Sequence, residues 1–331
     1  MLPQKAIAKL HSTKNLLAFS GGGDSTALFF LLLKRGIDFD IAIVDYGVRE
    51  QSKEEVGYAK DLAKKFNKKC FVKTVAKFAK NFEANARKVR YEFFEELIDS
   101  HGYETLLTAH HLGDRLEWFF MQLCKGAGCI ELAGMQMFEQ KERYTLVRPL
   151  LERSKEELLT YLHDNDIRYF HDATNDDEKF LRNRFRHNFA EPLLKEYKEG
   201  IRRSFEYMDE DRELLVQECE FFNEGAMSCF HTPHSKRAAM YCIDQELKKR
   251  GYLLSSYEKE RIKQSENIIV GRKYLIIFHN DLVCIAPYSD DKPTMPKTFK
   301  EECRQLGIEP KFRPFLFQNP KAFSLFKQLL I

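Results

Sequence analysis

Hydrophobic and polar positions follow two alternating periods along the first half of the chain. Leu16–Phe19 is a short apolar run, the pattern of a buried strand, and it ends in the polar cluster Ser20-Gly21-Gly22-Gly23-Asp24-Ser25. Thr26–Leu33 follows as a nearly all-apolar helix, closed by Arg35-Gly36, and Asp40–Val44 is a strand. Ser52-Lys53-Glu54-Glu55 has the form of a capping box. Behind it Val56, Ala59, Ala63 and Phe66 recur at helical spacing. Cys70–Val75 is a strand, and Ala86, Val89, Phe93 and Leu97 mark a helix ended by Gly102. Thr105–Ala109 is a strand and Leu112–Leu123 a helix. Strands alternating with helices predict an α/β fold, a Rossmann-like parallel sheet with helices on both faces and right-handed crossovers. Ligands of such sheets sit beyond the carboxyl ends of the strands. Three polar clusters fall there: the glycine loop, Asp45-Tyr46-Gly47 and His110-His111.

After Arg148-Pro149-Leu150-Leu151 the alternation stops. Ser154–Glu157 is a second capping box opening a helix. A long helix is predicted from Leu193 to Phe222, where Ile201, Phe205, Met208, Leu215, Cys219 and Phe222 keep a 3-4 spacing broken by Arg212. It reads as a connector, the alternative being an ordinary core helix. Two further helices precede a hairpin of Tyr274–Phe278 and Leu282–Ala286 around His279-Asn280-Asp281. The tail, rich in Pro, Lys and Phe, carries no clear signal. The resulting division is residues 1–192 as a catalytic domain, 193–224 as a connecting helix and 225–331 as a small α+β C-terminal domain.

Composition narrows the class. At 331 residues, 44% hydrophobic and 31% charged, the chain has the make-up of a soluble globular protein of about two domains. A net charge of only +3 means that any affinity for nucleic acid must come from local basic patches. No apolar run has the length of a signal peptide or a membrane span. The eight cysteines form no CxxC pair, which removes support for zinc ribbons and CxxC-held clusters and leads to the expectation of reduced thiols in a cytoplasmic protein.

The glycine loop carries the first specific chemistry. Three glycines let backbone N–H groups approach an anion without Cβ clashes, and the following helix N-terminus adds partial positive charge. Ser20 and Ser25 can donate to phosphate. Asp24 belongs beside a phosphate only with a cation between them, so Mg2+ is implied. The loop is neither GxxxxGK[ST], since no lysine follows, nor GxGxxG.

Ser20–Ser25 resembles SGGxDS, the pyrophosphate loop of the N-type ATP pyrophosphatases. That family splits ATP between the α and β phosphates and adenylates its substrates. Several further segments resemble the tRNA(Ile)-lysidine synthase family in particular. They are Asn81–Tyr91, with Glu83, Arg87 and Arg90; Thr108-Ala109-His110-His111 with Asp114 and Glu117; Gly126-Ala127-Gly128; and Arg148–Leu151 with Arg153. Asp172-Ala173-Thr174-Asn175 and Phe180–Arg186, with Arg182, Asn183 and Arg186, complete the series. Together these span roughly residues 15–195 in the family's order. Two positions depart from it: Asp45-Tyr46 where a histidine-rich segment is usual, and Lys125 in place of arginine, which keeps the charge but loses the bidentate fork. The length is similar to the family's shorter form.

What the resemblance implies is a PP-loop, adenine nucleotide alpha hydrolase-like fold binding ATP through Ser20, Gly21, Gly22, Gly23, Asp24 and Ser25, with Asp24 holding Mg2+. It implies a ligase acting on tRNA(Ile) with a CAU anticodon and on free L-lysine. The wobble cytidine is adenylated with release of pyrophosphate, and the lysine ε-amine then displaces AMP. Asp24, His110, Asp114 and Lys125 are the expected catalytic groups. Glu83, Arg87, Asp114 and Glu117 are expected to recognise lysine or cytidine, and Arg148, Arg182 and Arg186 to contact tRNA or phosphate. The C-terminal domain is expected to bind tRNA.

From the residues alone, other readings stay open. Glu83, Arg87 and Arg90 fit a solvated ion-paired face. His110, Asp114 and Glu117 fit metal ligation, although HExxH is absent. Arg182 to Arg186 fit a solvated basic helix, as do Lys236, Arg237, Lys248, Lys249 and Arg250. The functional alternatives are a sibling adenylating enzyme, a non-catalytic RNA-binding protein on this fold, and a metal-dependent hydrolase.

Overall fold

The computed structural model describes the whole chain except residues 48–50, 76–81, 172–180, 216–218, 233–235, 266, 292 and 331, and the side chains of 82–84 and 215. It divides into two compact units, Met1–Arg212 and Glu213–Ile331.

The first unit opens with α1 (Gln4–His11), an amphipathic helix that burial reveals and strand–helix alternation did not. Then come β1 (Asn15–Ala18), α2 (Gly23–Lys34), β2 (Asp40–Asp45), α3 (Gln51–Lys65), β3 (Cys70–Thr74), α4 (Phe82–His101), β4 (Thr105–Leu107) and α5 (Leu112–Leu123). Each falls within a few residues of its expected position. Helix α3 starts at Gln51, so Ser52 lies in its first turn rather than ahead of it. After α6 (Cys129–Ala133), β5 (Phe138–Gln140) and β6 (Thr145–Val147) form a short hairpin missed by periodicity, because three-residue strands show too few alternations to register.

The six strands lie in the order β3-β2-β1-β4-β6-β5; all pairings are parallel except that of the edge strand β5. Neighbouring strand residues feed opposite layers. Leu17, Ile41, Ile43, Leu107 and Val147 join a core with Leu28, Leu32, Ala59 and Leu158. Leu16, Ala42, Leu106 and Leu146 join one with Phe93, Phe94 and Leu97 of α4. The helices therefore cover both faces, as the alternation required. The chain order reverses between β1 and β4, and the crevice at such a switch point is where ligands of this sheet type bind.

Beyond the sheet, α7 (Lys155–Asp164) starts with the expected capping box of Ser154 and Glu157. Helix α8 (Leu181–Phe185) runs through a π-helical turn, Arg186–Ala190, into α9 (Glu191–Leu215). Helix α9 bends at Tyr197 and ends at Leu215, so the long helix expected to reach Phe222 is corrected: Phe222 starts a strand. Its 3-4 spacing with Cys219 is coincidental, because Phe222 pairs across a ladder with Cys229.

The second unit is a five-stranded antiparallel sheet, made of β7 (Phe222–Glu224), β8 (Met227–His231), β9 (Asn267–Val270), β10 (Tyr274–His279) and β11 (Leu282–Pro287), in the order β7-β8-β11-β10-β9. The expected β10–β11 hairpin is present. One face packs on α10 (Lys236–Lys249) and α11 (Ser256–Gln264) through Phe230, Ile243, Leu247 and Ile276. The other is covered by the tail, which forms α12 (Lys297–Gln305), α13 (Arg313–Gln318) and α14 (Pro320–Leu329) and inserts Phe312, Leu316 and Phe326. The tail helices are short and all three start at or next to proline, which masked their apolar spacing.

The expectation of reduced thiols is also corrected. Cys219 pairs with Cys242 and Cys229 with Cys284, whereas Cys70, Cys124, Cys129 and Cys303 are free. Cys229 and Cys284 are 55 residues apart in the chain but directly opposed in the β8–β11 register, a proximity that sequence spacing cannot show. Among the described residues no helix is long and apolar enough to cross a membrane.

Candidate active site

Strand β1 delivers the glycine loop to the switch point, and α2 begins within it at Gly23. Gly21 has φ +77°, a conformation that costs any residue with a Cβ. The loop is braced internally: the Ser20 N–H donates to Ser25 Oγ at 3.2 Å, and Ser25 Oγ donates to Gly22 O at 3.1 Å. It is braced externally by the strand-like segment before residue 171. The Phe170 N–H donates to Gly21 O at 2.9 Å, and Gly22 bridges Phe170 in parallel. A Cβ on Gly23 would stand 3.0 Å from the Leu159 side chain, so the loop is glycine-rich partly because α7 and this segment crowd it.

Asp24, in the first turn of α2, has one buried carboxylate oxygen, Oδ1, with no hydrogen-bond partner among the described residues. Burial raises its pKa above the usual carboxylate range; His111 opposes the shift, and Asp114 adds to it. Lys155, at the start of α7, and Arg186 also act on this carboxylate. Lys155 was not singled out in the sequence, although the Ser154 capping box fixes it as the first residue of its helix.

Strand β4 delivers the second cluster. His111 caps α5: its Nδ1 accepts from the Gly113 N–H at 3.0 Å, and its own N–H donates to Asp114 Oδ2 at 2.9 Å. Because Nδ1 accepts, the proton of the neutral ring is on Nε2, which lies 3.8 Å from Asp24 Oδ2 and 3.7 Å from Asp114 Oδ2. His110 Nδ1 lies 2.9 Å from Thr108 Oγ1. Burial lowers its pKa to about 4; Asp114 works against that shift, and the cations Arg148, Arg182 and Arg87 reinforce it. His110 is therefore a buried, neutral ring, its protonation opposed first by burial.

Asp114 and Glu117, one turn apart on α5, are both buried and are met by two arginines. Arg182 Nε donates to Glu117 Oε2 at 2.7 Å and its Nη2 to Asp114 Oδ1. Arg186 Nε donates to Glu117 Oε1 at 2.5 Å and its Nη2 to Glu117 Oε2 at 3.3 Å. Burial pushes the Asp114 carboxyl up, but His111, Arg182, His110 and the His111 N–H hold it well below the ordinary carboxylate range.

Other expected site residues are placed less centrally. Arg148 is buried; it donates to Gln136 O at 2.8 Å and to Glu139 Oε2 at 2.6 Å. Arg87 is exposed on α4 with its guanidinium 4.8 Å from the Tyr91 ring. Lys125 is exposed in the turn after α5. Glu83 is on α4, where its side chain is outside the described residues, as are Val48, Arg49 and the Asp172–Asn175 and Phe180 segments. Tyr46 donates to Ala86 O at 3.0 Å, so this departure from the family pattern ties the end of β2 to α4. Lys248, Lys249 and Arg250 pair with Asp244 and Glu246 of their own helix. Sequence reasoning missed Arg115, which is buried, donates to both carboxylate oxygens of Asp209 and lies 4.4 Å from the Phe205 ring, fixing α5 to α9. Its only sequence signal is a charged residue in an apolar helix.

An anion-ready glycine loop at the switch point of a parallel sheet defines the PP-loop class of nucleotide-binding proteins, and residues 3–193 match the PP-loop domain family. Over nearly the whole chain the similarity is more particular. A tRNA(Ile)-lysidine synthase of Helicobacter pylori is 43% identical over 93% of this chain and 90% of its own. One of Campylobacter jejuni is 40% identical over 96% and 97%, and one of Wolinella succinogenes 44% over 93% and 94%. The chain belongs to the tRNA(Ile)-lysidine synthase family of PP-loop proteins. Among solved structures, a U34-tRNA thiolase of Methanococcus maripaludis shares the fold, with a TM-score of 0.52 at 15% identity over 66% of this chain and 80% of that one.

Proposed function

We propose that the protein joins L-lysine to the wobble cytidine of the tRNA(Ile) that carries a CAU anticodon, using ATP. The observation that carries this reading is that one site sets an anion-ready loop, Gly21–Ser25 with Asp24, beside an acidic pair, Asp114 and Glu117, held by Arg182 and Arg186; His111 stands between the loop and the pair.

The chemistry follows from that polarity. The cytidine carbonyl oxygen attacks the α-phosphate of ATP, its bond to phosphorus replaces the bond to pyrophosphate, and an adenylated base results. The loop N–H groups, the α2 N-terminus, Ser20 and Ser25 hold the departing pyrophosphate. Asp24, through its unpartnered Oδ1, is the residue that would hold Mg2+, which with the ATP phosphates would supply neutralising charge. The lysine ε-amine then attacks the activated ring carbon and AMP leaves. Asp114 and Glu117 orient the amine, whose proton passes to water; His110, with its pKa lowered to about 4, is too weak a base to hold that proton at neutral pH and serves as a neutral hydrogen-bonding ring. Arg87, exposed on α4, and Arg182, on release from its carboxylates, are assigned to the phosphates of nucleotide and RNA, whereas Arg148 is held by Glu139. Lys125 adds positive charge at the leaving group. In the C-terminal unit, an open cleft of about 580 Å³ has Tyr257, Tyr288, Arg261 and Arg272 in its lining beside the acidic Glu258 and Asp290. We assign tRNA binding to that unit.

The test uses purified protein, ATP, Mg2+, labelled lysine and a tRNA(Ile) transcript with a CAU anticodon, with elongator tRNA(Met), which shares that anticodon, in parallel. Label in the first tRNA alone, with AMP and pyrophosphate released, is the expected result. Pyrophosphate release that depends on tRNA but incorporates no lysine would move the protein to a sibling activity.

A further inference from the structure

The carboxylates assigned above to the lysine amine are already occupied. Asp114 Oδ1 accepts from Arg182 and Oδ2 from the His111 N–H; Glu117 Oε1 accepts from Arg186 and Oε2 from both arginines. Two carboxylates and two guanidinium groups make a charge-neutral quartet in a buried setting, since Glu117 is 1% exposed and Asp114 9%. A further cation gains nothing from a neutral cluster unless one of the resident donors leaves. The three donors differ in how readily they can do so. The His111 N–H is part of the α5 cap. The Arg186 side chain is 13% exposed, anchored by Nε and Nη2 to Glu117, and lies on the π-helical turn packed against α5. The Arg182 side chain is also anchored by two nitrogens, Nε to Glu117 and Nη2 to Asp114, but it is the most exposed of these groups, at 38%, and lies in the first turn of a five-residue helix.

We propose that Arg182, which occupies the cation seat of Asp114 and Glu117, yields it to the lysine ammonium, turning its own guanidinium to substrate phosphate. This rests on the lysine-ligating reading above. It assigns Arg182 as a positioning residue that couples lysine entry to the presence of an anion. Two expected roles that conflict in a static picture, carboxylates for lysine and Arg182 for phosphate, become successive states of one exchange. A ligand that competes with a resident group binds with its intrinsic affinity reduced by the fraction of open sites. Vacating the seat therefore tightens lysine binding.

The test is steady-state lysidine formation by the full-length protein and by Arg182→Gln and Arg182→Lys, with lysine varied at saturating ATP and tRNA(Ile). For Arg182→Gln, KM for lysine is expected to fall at least about threefold as the competing group is removed, while kcat falls because the phosphate contact is lost. Arg182→Lys, which retains a cation for the seat, is expected to keep KM nearer the wild-type value. A folding defect would lower the active fraction and so kcat, but would not lower KM. An unchanged or raised KM in Arg182→Gln, with lysine still incorporated by the wild type, overturns the exchange. If the wild-type protein itself incorporates no lysine, the underlying functional reading fails instead.

Discussion

His111 Nε2 lies 3.8 Å from Asp24 Oδ2, so the cap of one helix faces the first turn of another across the switch point of the sheet. This relationship couples the phosphate loop on β1 to the acidic pair on α5. It gives the second histidine of the His110-His111 pair an organising role, while burial keeps the first neutral.

Asp24 is held in a setting that disfavours its charge: burial raises its pKa, and Oδ1 has no partner among the described residues. A folded-state pKa above the unfolded value means that the ionised group lowers stability at neutral pH, a penalty that fades as pH falls through the folded pKa. Asp24→Asn is therefore expected to abolish tRNA-dependent pyrophosphate release, by about 100-fold or more, while its melting temperature at pH 7.5 equals or exceeds that of the wild type. Parallel activity assays and thermal melts check this; a folded variant with full activity removes Asp24 from the mechanism.

Gly21 combines φ +77° with contacts to Phe170 and Glu55 at 3.4–3.5 Å from where a Cβ would be. Gly21→Ala is expected to cost about 1–2 kcal/mol in urea unfolding and to raise KM for ATP, because the loop amides lose their aim. An unaltered KM would show that the loop tolerates another backbone conformation.

Glu117 is the most buried member of the acidic pair and is held by both Arg182 and Arg186. Removing one partner of a buried ion pair leaves the others uncompensated, which typically costs about 3–5 kcal/mol. Glu117→Ala is expected to destabilise the protein by about that amount and to lose lysine incorporation. Glu117→Gln, which keeps an acceptor oxygen, is expected to recover part of the stability but not the activity. Equilibrium denaturation of the two variants separates packing from charge.

His110 titrates at about 4, against an ordinary value of 6.5. Between those values the unfolded chain binds a proton that the folded chain does not. Its contribution is fully retained above pH 6.5 and lost as pH falls towards 4, by up to about 3 kcal/mol. Stability profiles of wild type and His110→Gln are expected to converge over that window. Profiles that run parallel would mean that the ring is solvated and ordinary.

The parallel sheet, its helices on both faces and the three clusters at its strand ends were legible in the sequence, because each depends on local periodicity and on residue types with few alternative uses. Three consecutive glycines ahead of Asp24 between an apolar strand and an apolar helix have little reading except an anion loop. The ordered segments Thr108–Glu117 and Arg148–Leu151 narrowed the family for the same reason. What the tertiary structure alone decided concerns pairs distant in the chain. Arg182 and Arg186 meet Asp114 and Glu117 more than sixty residues away. Arg115 meets Asp209, and Cys229 meets Cys284. The tail helices are recognisable only by the sheet face they cover. A charge on a helix reads the same in sequence whether solvent or a buried partner faces it; only the packing of α5, α8 and the π-helical turn selects between them, because it removes water and leaves the opposite charge as the remaining neighbour.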